Sequence, residues 1–103
     1  MKVFLCAALT LGLFLLTPAA EGRAEPVPVF VSILPQKYFV EKIGGAHVDV
    51  SVMVLPGANF HTYEPTPTQM KALSRARLYL AIGGSFEDVW LSRFASANPR
   101  MRI

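Results

Sequence analysis

A short segment near the middle of the chain, residues 56–67 (PGANFHTYEPTP), holds the side chains best suited to chemistry. His61, Tyr63 and Glu64 lie within four positions there, with prolines on both sides. A neutral imidazole binds zinc, copper, nickel, iron or manganese through one ring nitrogen. A complete site needs three or four donors. His61 is therefore a candidate metal ligand, although spacing alone favours an ordinary solvent-exposed histidine.

The neighbours of His61 have their own interpretations. Glu64 is either a hard oxygen ligand or a carboxylate that fixes the loop by accepting backbone N–H bonds. The second is favoured because Pro65 follows directly, which indicates a rigid turn. Tyr63 is expected to pack, with its hydroxyl hydrogen-bonded. His47, the other histidine, is expected to be a surface turn residue at the opposite edge of the fold.

The sequence contains no arrangement typical of an enzyme. Residues 83–88 (GGSFED) lack the lysine and the spacing of a phosphate-binding loop. No G-x-S-x-G nucleophile motif occurs. Glu87 and Asp88 are most simply explained by the dipole at the start of a helix. We therefore predict that the protein is not an enzyme, with no catalytic residue and no cofactor-binding residue.

The first 24 residues have the pattern of a cleaved signal peptide. Lys2 gives a positive start, residues 3–16 form an apolar run, and Gly22 and Ala24 occupy the −3 and −1 positions of a cut before Glu25. The apolar run is shorter than the ~20 residues that a membrane-spanning helix needs. We predict export to the periplasm; an uncleaved N-terminal anchor is the alternative.

Composition narrows the class of protein further. Cys6 is the only cysteine and lies in the leader, so the mature chain would have no disulfide, thiol nucleophile or cysteine zinc site. The formal net charge is only +3, and the basic residues are scattered, which does not indicate nucleic-acid binding. The hydrophobic content of 52% is raised by the leader and does not indicate a membrane protein.

The rest of the chain alternates between predicted strands and helices. Runs of β-branched and apolar residues predict strands at 27–34, 48–55 and 78–82. Apolar periodicity and end signals predict helices at 36–43, 66–76 and 85–97, the last capped by Ser85. The order β-α-β-α-β-α predicts an α/β fold with a parallel sheet covered on both faces. Residues 101–103 are a candidate start of a fourth strand.

Several side chains have predicted places in this fold. Val48, Val50, Val52 and Val54 alternate and should share one face of the second strand. The first helix has Tyr38, Phe39 and Ile43 at helical spacing. The third helix has a predicted buried stripe of Phe86, Val89, Trp90, Phe94 and Ala97. Ligands of open α/β sheets bind outside the carboxyl ends of the strands, where the segment of His61 lies.

From residue 29 onward the chain resembles the start of the metal-binding solute-binding proteins of zinc and manganese ABC importers, the cluster A-I family. The most specific pieces are PGANFHTYEPTPTQM, LYLAIGG and FEDVWL. The resemblance implies two α/β lobes joined by a long rigid helix, with one divalent ion in the cleft. Residues 25–103 would be a truncated part of the N-terminal lobe. His61 would be the first metal ligand, and the remaining ligands would lie beyond Ile103.

The function implied by the resemblance is capture of a divalent metal ion for delivery to an ABC permease, by a protein expected to be a monomer. Zinc is favoured because histidine-rich sites prefer it, and manganese is the alternative. Phe60 departs from the family, in which a proline or small residue often precedes the histidine, and could shift or shield the imidazole. The competing hypothesis is a metal-independent adhesion or interaction module on the same fold, marked by an exposed apolar or aromatic patch without ligand residues.

Overall fold

The computed structural model describes residues 22–103. Almost all of the predicted signal peptide, residues 1–24, lies outside the described residues. Three strands alternate with three helices: β1 (Val27–Val31), α1 (Leu34–Gly44), β2 (Val48–Val52), α2 (Pro67–Leu73), β3 (Leu78–Leu80) and α3 (Ser85–Ala97). The predicted order β-α-β-α-β-α is confirmed. None of the helices within residues 22–103 has the length and apolar character needed to cross a membrane.

The sheet is parallel, with strand order β2-β1-β3. Val29 of the central strand aligns with Val50 on one side and Leu78 on the other. After α3 the chain returns to the edge strand β3, where Arg102 forms a single parallel bridge to Leu78. The predicted fourth strand is therefore present only as one bridge beside β3.

One face of the sheet carries a large core covered by α2 and α3, which we call the aromatic core. Its buried members are Phe30, Met53, Val54, Leu73, Ala76, Tyr79, Phe86, Phe94 and Met101. On α3, Phe86, Trp90 and Phe94 are four residues apart and stack, with successive ring centroids 6.3 and 6.0 Å apart. The predicted stripe is wrong for Val89, which is 54% exposed, and for Ala97, which is exposed.

The opposite face carries a smaller core, the valine core, made of buried Val29, Val31 and Val50. Helix α1 covers this face and packs Val40 against it, but none of the helix's own residues is fully buried. Tyr38, Phe39 and Ile43, which were identified by their helical spacing, point towards solvent. Their exposed fractions are 59%, 63% and 90%. Val54 was predicted to face this side, but β2 ends at Val52 and Val54 joins the aromatic core.

The carboxyl ends of β1 and β3 are joined by the side chain of Gln36 on α1. Its Oε1 accepts hydrogen bonds from the backbone N–H groups of Ser32 and Ile33, at 3.0 and 3.1 Å. Its Nε2 donates to the carbonyl oxygen of Leu80 at 2.9 Å. One side chain therefore satisfies the backbone groups released where two strands end, and it fixes the sheet edge at which ligands bind in this class of fold.

Candidate metal centre

His61 lies at the carboxyl edge of the sheet, in the segment between β2 and α2. Its Nδ1 is 2.6 Å from Oγ of Ser85, the first residue of α3, and both side chains are exposed. Helix α3 follows β3, which lies on the far side of β1 from β2. The segment after β2 therefore reaches across to the segment after β3. This is the edge at which the sequence predicts ligand binding.

The turn that carries His61 is held by Asn59. The Asn59 Oδ1 accepts the backbone N–H of His61 at 2.9 Å, and the Asn59 carbonyl oxygen accepts the N–H of Thr62 at 3.2 Å. An asparagine that bonds the backbone two residues later is typical of a tight turn. The imidazole is thus attached to a turn whose backbone is already hydrogen-bonded, which limits the positions that the ring can reach.

Gln69 fastens the two ends of the same segment. Thr66 and Gln69 form the predicted capping box, with bonds of 3.2 and 2.9 Å, at the start of α2. The Gln69 Nε2 also donates to the carbonyl oxygen of Met53 at 2.6 Å. The hydroxyl of Tyr63 donates to Gln69 Oε1 at 2.7 Å, and the Tyr63 ring packs against the aromatic core. Tyr63 is therefore a packing residue with a hydrogen-bonded hydroxyl, as predicted.

Phe60 anchors the turn to α3. Its ring lies against Phe86, with centroids 5.6 Å apart, and meets the His61 ring edge-on at 5.8 Å. Gly84, with φ of +126°, leaves the space for this ring, because a Cβ there would stand 2.9 Å from Phe60 Cε1. The bulky residue that departs from the family pattern therefore packs between the histidine turn and α3.

A buried polar network holds the segment leading into Ser85. Glu87, which is 2% exposed, accepts hydrogen bonds from Ser32 Oγ at 2.5 Å and from the backbone N–H groups of Ile82 at 2.7 Å and Gly83 at 2.5 Å. The Tyr79 hydroxyl is also hydrogen-bonded to Ser32 Oγ, with the two oxygens 2.6 Å apart. Burial raises the pKa of Tyr79 to about 12; the Ser32 hydrogen bond opposes this rise and the charge of Glu87 adds to it.

This role of Glu87 differs from the sequence prediction, which assigned it with Asp88 to the helix dipole. Asp88 is exposed, whereas Glu87 faces the sheet. A signal was present in the sequence: Glu87 stands three and seven residues before Trp90 and Phe94, which places it on their side of the helix. A carboxylate in that stripe must find hydrogen-bond donors, because an unpaired buried charge is costly.

Ser85 also differs from its prediction. It was expected to cap α3, but the capping residue is Gly84, and the start of the helix has no side-chain capping bond. The Ser85 hydroxyl instead contacts His61. Helix-end residues bond either to their own helix or to a neighbouring segment, and sequence alone does not distinguish these outcomes.

An open cavity of about 300 Å³ adjoins the imidazole and is lined by His61, Glu64, Ser85, Trp90 and Arg93, among others. The guanidinium of Arg93 lies over the Trp90 ring, 4.7 Å from its centroid. Glu64 is exposed. The loop is held by hydrogen bonds of Asn59 and Gln69, and the favoured interpretation, that Glu64 fixes the loop, stays a prediction.

The described part of the chain does not form a complete metal site by itself. No group of three or more histidine, cysteine, aspartate or glutamate residues within residues 22–103 is arranged to hold a metal ion. His47 is exposed in the 3₁₀ turn Gly45–His47 that precedes β2, as predicted for a surface turn residue. Of the residues that line the cavity next to α3, His61 and Glu64 are the two whose side chains commonly bind metal ions.

Comparison with known proteins gives consistent results. The family model for ZnuA, described as zinc-uptake complex component A, periplasmic, matches residues 29–103. A crystal structure of a ZnuA deletion mutant with zinc bound is similar over 75% of this chain, with 49% identity and a TM-score of 0.71. A Mn-bound periplasmic metal-binding protein from Candidatus Liberibacter asiaticus shares the fold over 75% of this chain, with 22% identity and a TM-score of 0.65.

A curated protein of Chlamydia muridarum (strain MoPn / Nigg), named "Putative metal-binding protein", is 37% identical over 59 residues, which is 57% of this chain. The chain spans 21% of the length of that relative. It likewise spans 30% of the ZnuA mutant and 29% of the Mn-bound protein.

Proposed function

The chain belongs to the ZnuA family of periplasmic zinc-uptake components, and we propose on that premise that it captures a divalent metal ion outside the cytoplasm and passes it to an ABC permease. The observation that carries the proposal is the position of His61. Its imidazole is exposed at the carboxyl edge of a parallel sheet, beside an open cavity, with one ring nitrogen engaged by Ser85. That edge is where open α/β folds bind their ligands.

Zinc is the favoured ion. The similar ZnuA structure with 49% identity has zinc bound, and imidazole is a ligand that zinc accepts readily. Manganese is the alternative, because oxygen donors such as the nearby Glu64 carboxylate suit it. In either case the ion is the transported ligand, and the family is one of solute-binding proteins. No catalytic step is assigned to the chain.

The rest of the site is proposed to come from a longer protein. Residues 22–103 offer too few ligands for a divalent ion, and the chain spans less than a third of the solved relatives. We expect the reading frame after Ile103 to encode at least two further histidines and one aspartate or glutamate. We also expect residues 1–24 to be a cleaved signal peptide, and the mature protein to be a periplasmic monomer.

The test is a zinc titration of the protein expressed from the complete reading frame, in competition with a chelating dye. His61→Ala should lower the zinc affinity about 100-fold or more, since even residues that only support a ligand are worth about 10–100-fold. His47→Ala is the matched control and should bind as the wild type does. Equal affinity of His61→Ala and wild type would remove His61 from the site.

The interaction-module hypothesis has one observation in its favour. Tyr38 and Phe39 form an exposed edge-to-face pair on α1, with centroids 5.4 Å apart, on the opposite face of the sheet from the aromatic core. The family match favours metal capture instead. Absence of any single-site zinc binding by the wild-type protein in the same titration would reverse that preference.

A further inference from the structure

We propose that Ser85 is a positioning residue that holds the His61 imidazole as the tautomer with its proton on Nδ1, so that Nε2 offers its lone pair to the metal ion. This inference rests on the proposed function, since it describes how the same site is prepared for its ligand. It assigns to Ser85 a role in metal capture without direct contact with the ion.

The direction of the hydrogen bond follows from the proposed binding of the metal ion through Nε2, because a serine hydroxyl can either donate to Nδ1 or accept from it. The Nδ1 of His61 and the Oγ of Ser85 are 2.6 Å apart, which is hydrogen-bonding distance. A neutral imidazole has one protonated nitrogen and one with a free lone pair. If Nε2 is to bind a metal ion, the proton must be on Nδ1, and the Ser85 hydroxyl oxygen must then accept a hydrogen bond from Nδ1–H. A hydroxyl oxygen has two lone pairs and can do so while its own proton bonds to water.

The Ser85 hydroxyl is available because the helix does not use it. Gly84 is the capping residue of α3, and no side chain caps the helix start. Serine at a helix start commonly bonds to its own backbone. Here the hydroxyl instead bonds the imidazole of a segment 24 residues earlier in the chain. The contact therefore joins two elements whose relative position decides where Nε2 lies.

The segments that carry Ser85 and His61 are each fixed by further contacts. On the Ser85 side, the buried Glu87 carboxylate binds the N–H groups of Ile82 and Gly83. On the His61 side, Phe60 packs against Gly84 and Phe86. Such support fixes the ring orientation before the ion arrives, and preorganisation of this kind reduces the entropy lost on binding.

The first experiment reads the tautomer directly in metal-free protein. Long-range ¹H–¹⁵N correlation spectra of ¹⁵N-labelled protein from the complete reading frame distinguish a protonated Nδ1 from a protonated Nε2. Wild-type protein should show His61 protonated on Nδ1, and Ser85→Ala should shift the population towards Nε2. A wild-type His61 protonated on Nε2 would overturn the proposal, as would an unchanged tautomer in Ser85→Ala.

The second experiment measures zinc affinity in the same proteins. Ser85→Ala should lower the affinity about tenfold, at the lower end of the effect of outer-shell partners. Ser85→Thr keeps the hydroxyl and should restore binding. Ser92→Ala, an exposed serine two turns further along α3, is the matched control and should have no effect. An unchanged affinity in Ser85→Ala would overturn the positioning role.

The two proposals fail in different ways. If His61→Ala binds zinc as the wild type does, the metal-ligand role of His61 is lost, whatever the spectra show. If His61→Ala loses affinity but Ser85→Ala retains it, only the role of Ser85 is lost.

Discussion

The two faces of the sheet are built very differently. The face covered by α2 and α3 carries nine buried residues, including Tyr79, Phe86 and Phe94. The face covered by α1 carries three buried valines, and its helix exposes Tyr38 and Phe39 to solvent. His61 and Ser85 both belong to segments that pack on the first face, through Phe60 and Phe86. The candidate site therefore stands on the densely packed side of the domain.

This difference explains how an exposed histidine can be held in place. Loops are usually mobile because few contacts restrain them. Here the segment of His61 is attached to the aromatic core by Phe60 and Tyr63, which pack against it. The polar network around Glu87 fixes the opposing segment. Changes in the aromatic core should therefore affect stability strongly, while matched changes on α1 should not.

The largest expected effect comes from removing an aromatic ring from the dense face. Phe94 is fully buried between Tyr79 and Trp90, so Phe94→Ala should lower the free energy of unfolding by about 3–5 kcal/mol. Phe39 is 63% exposed, and Phe39→Ala should change it by less than about 0.5 kcal/mol. Urea unfolding measures both, and comparable losses would contradict the contrast between the two faces.

The next effect appears only at alkaline pH. Because burial, chiefly, raises the pKa of Tyr79 from 10.0 to about 12, the native state keeps this proton over a pH range in which the unfolded state loses it. The contribution of Tyr79 to the free energy of unfolding should therefore be complete below pH 10 and fall by about 2–3 kcal/mol as the pH rises to about 12.

Two tyrosine variants isolate this effect. Tyr79→Phe should remove this part of the decline, whereas Tyr38→Phe, on the exposed side of α1, should leave it in place. Urea unfolding at several pH values between 9 and about 12 measures the slope. A decline that persists in Tyr79→Phe would show that other groups cause it.

A smaller effect distinguishes two adjacent acidic residues at the start of α3. Glu87→Gln places an amide N–H₂ where the carboxylate accepts hydrogen bonds from Ser32, Ile82 and Gly83. This should cost about 2 kcal/mol of stability. Asp88→Asn also removes a charge near the helix start, but at an exposed position, and should cost less than about 1 kcal/mol. Equal costs would return Glu87 to the helix-dipole interpretation.

The sequence was sufficient for the features that depend on local pattern. The strand and helix order, the capping box of Thr66 and Gln69, and the turn position of His47 all follow from residue types at short spacing. The parallel sheet then follows from the alternation of strands and helices. The position of His61 at the carboxyl edge is a consequence of that topology, because its segment follows a strand.

The features that sequence reasoning missed depend on contacts between distant segments. Whether Ser85 caps its helix or bonds His61 is decided by how closely the segment of Phe60 approaches Gly84. Helical spacing could not predict that Tyr38 and Phe39 are exposed. Spacing shows that residues share a face of the helix, but not whether that face points to the core or to solvent. Val89 failed for a different reason: the aromatic residues of its predicted stripe do face the core, but Val89 lies at the margin of that stripe and is 54% exposed.

The most direct test of the central claim is a crystal structure of the zinc-loaded protein from the complete reading frame, with anomalous data collected at the zinc edge. The prediction is an anomalous peak about 2.0–2.1 Å from Nε2 of His61, with Nδ1 still hydrogen-bonded to Ser85. A well-occupied zinc peak beyond bonding distance of His61, or one bound to Nδ1, would contradict it.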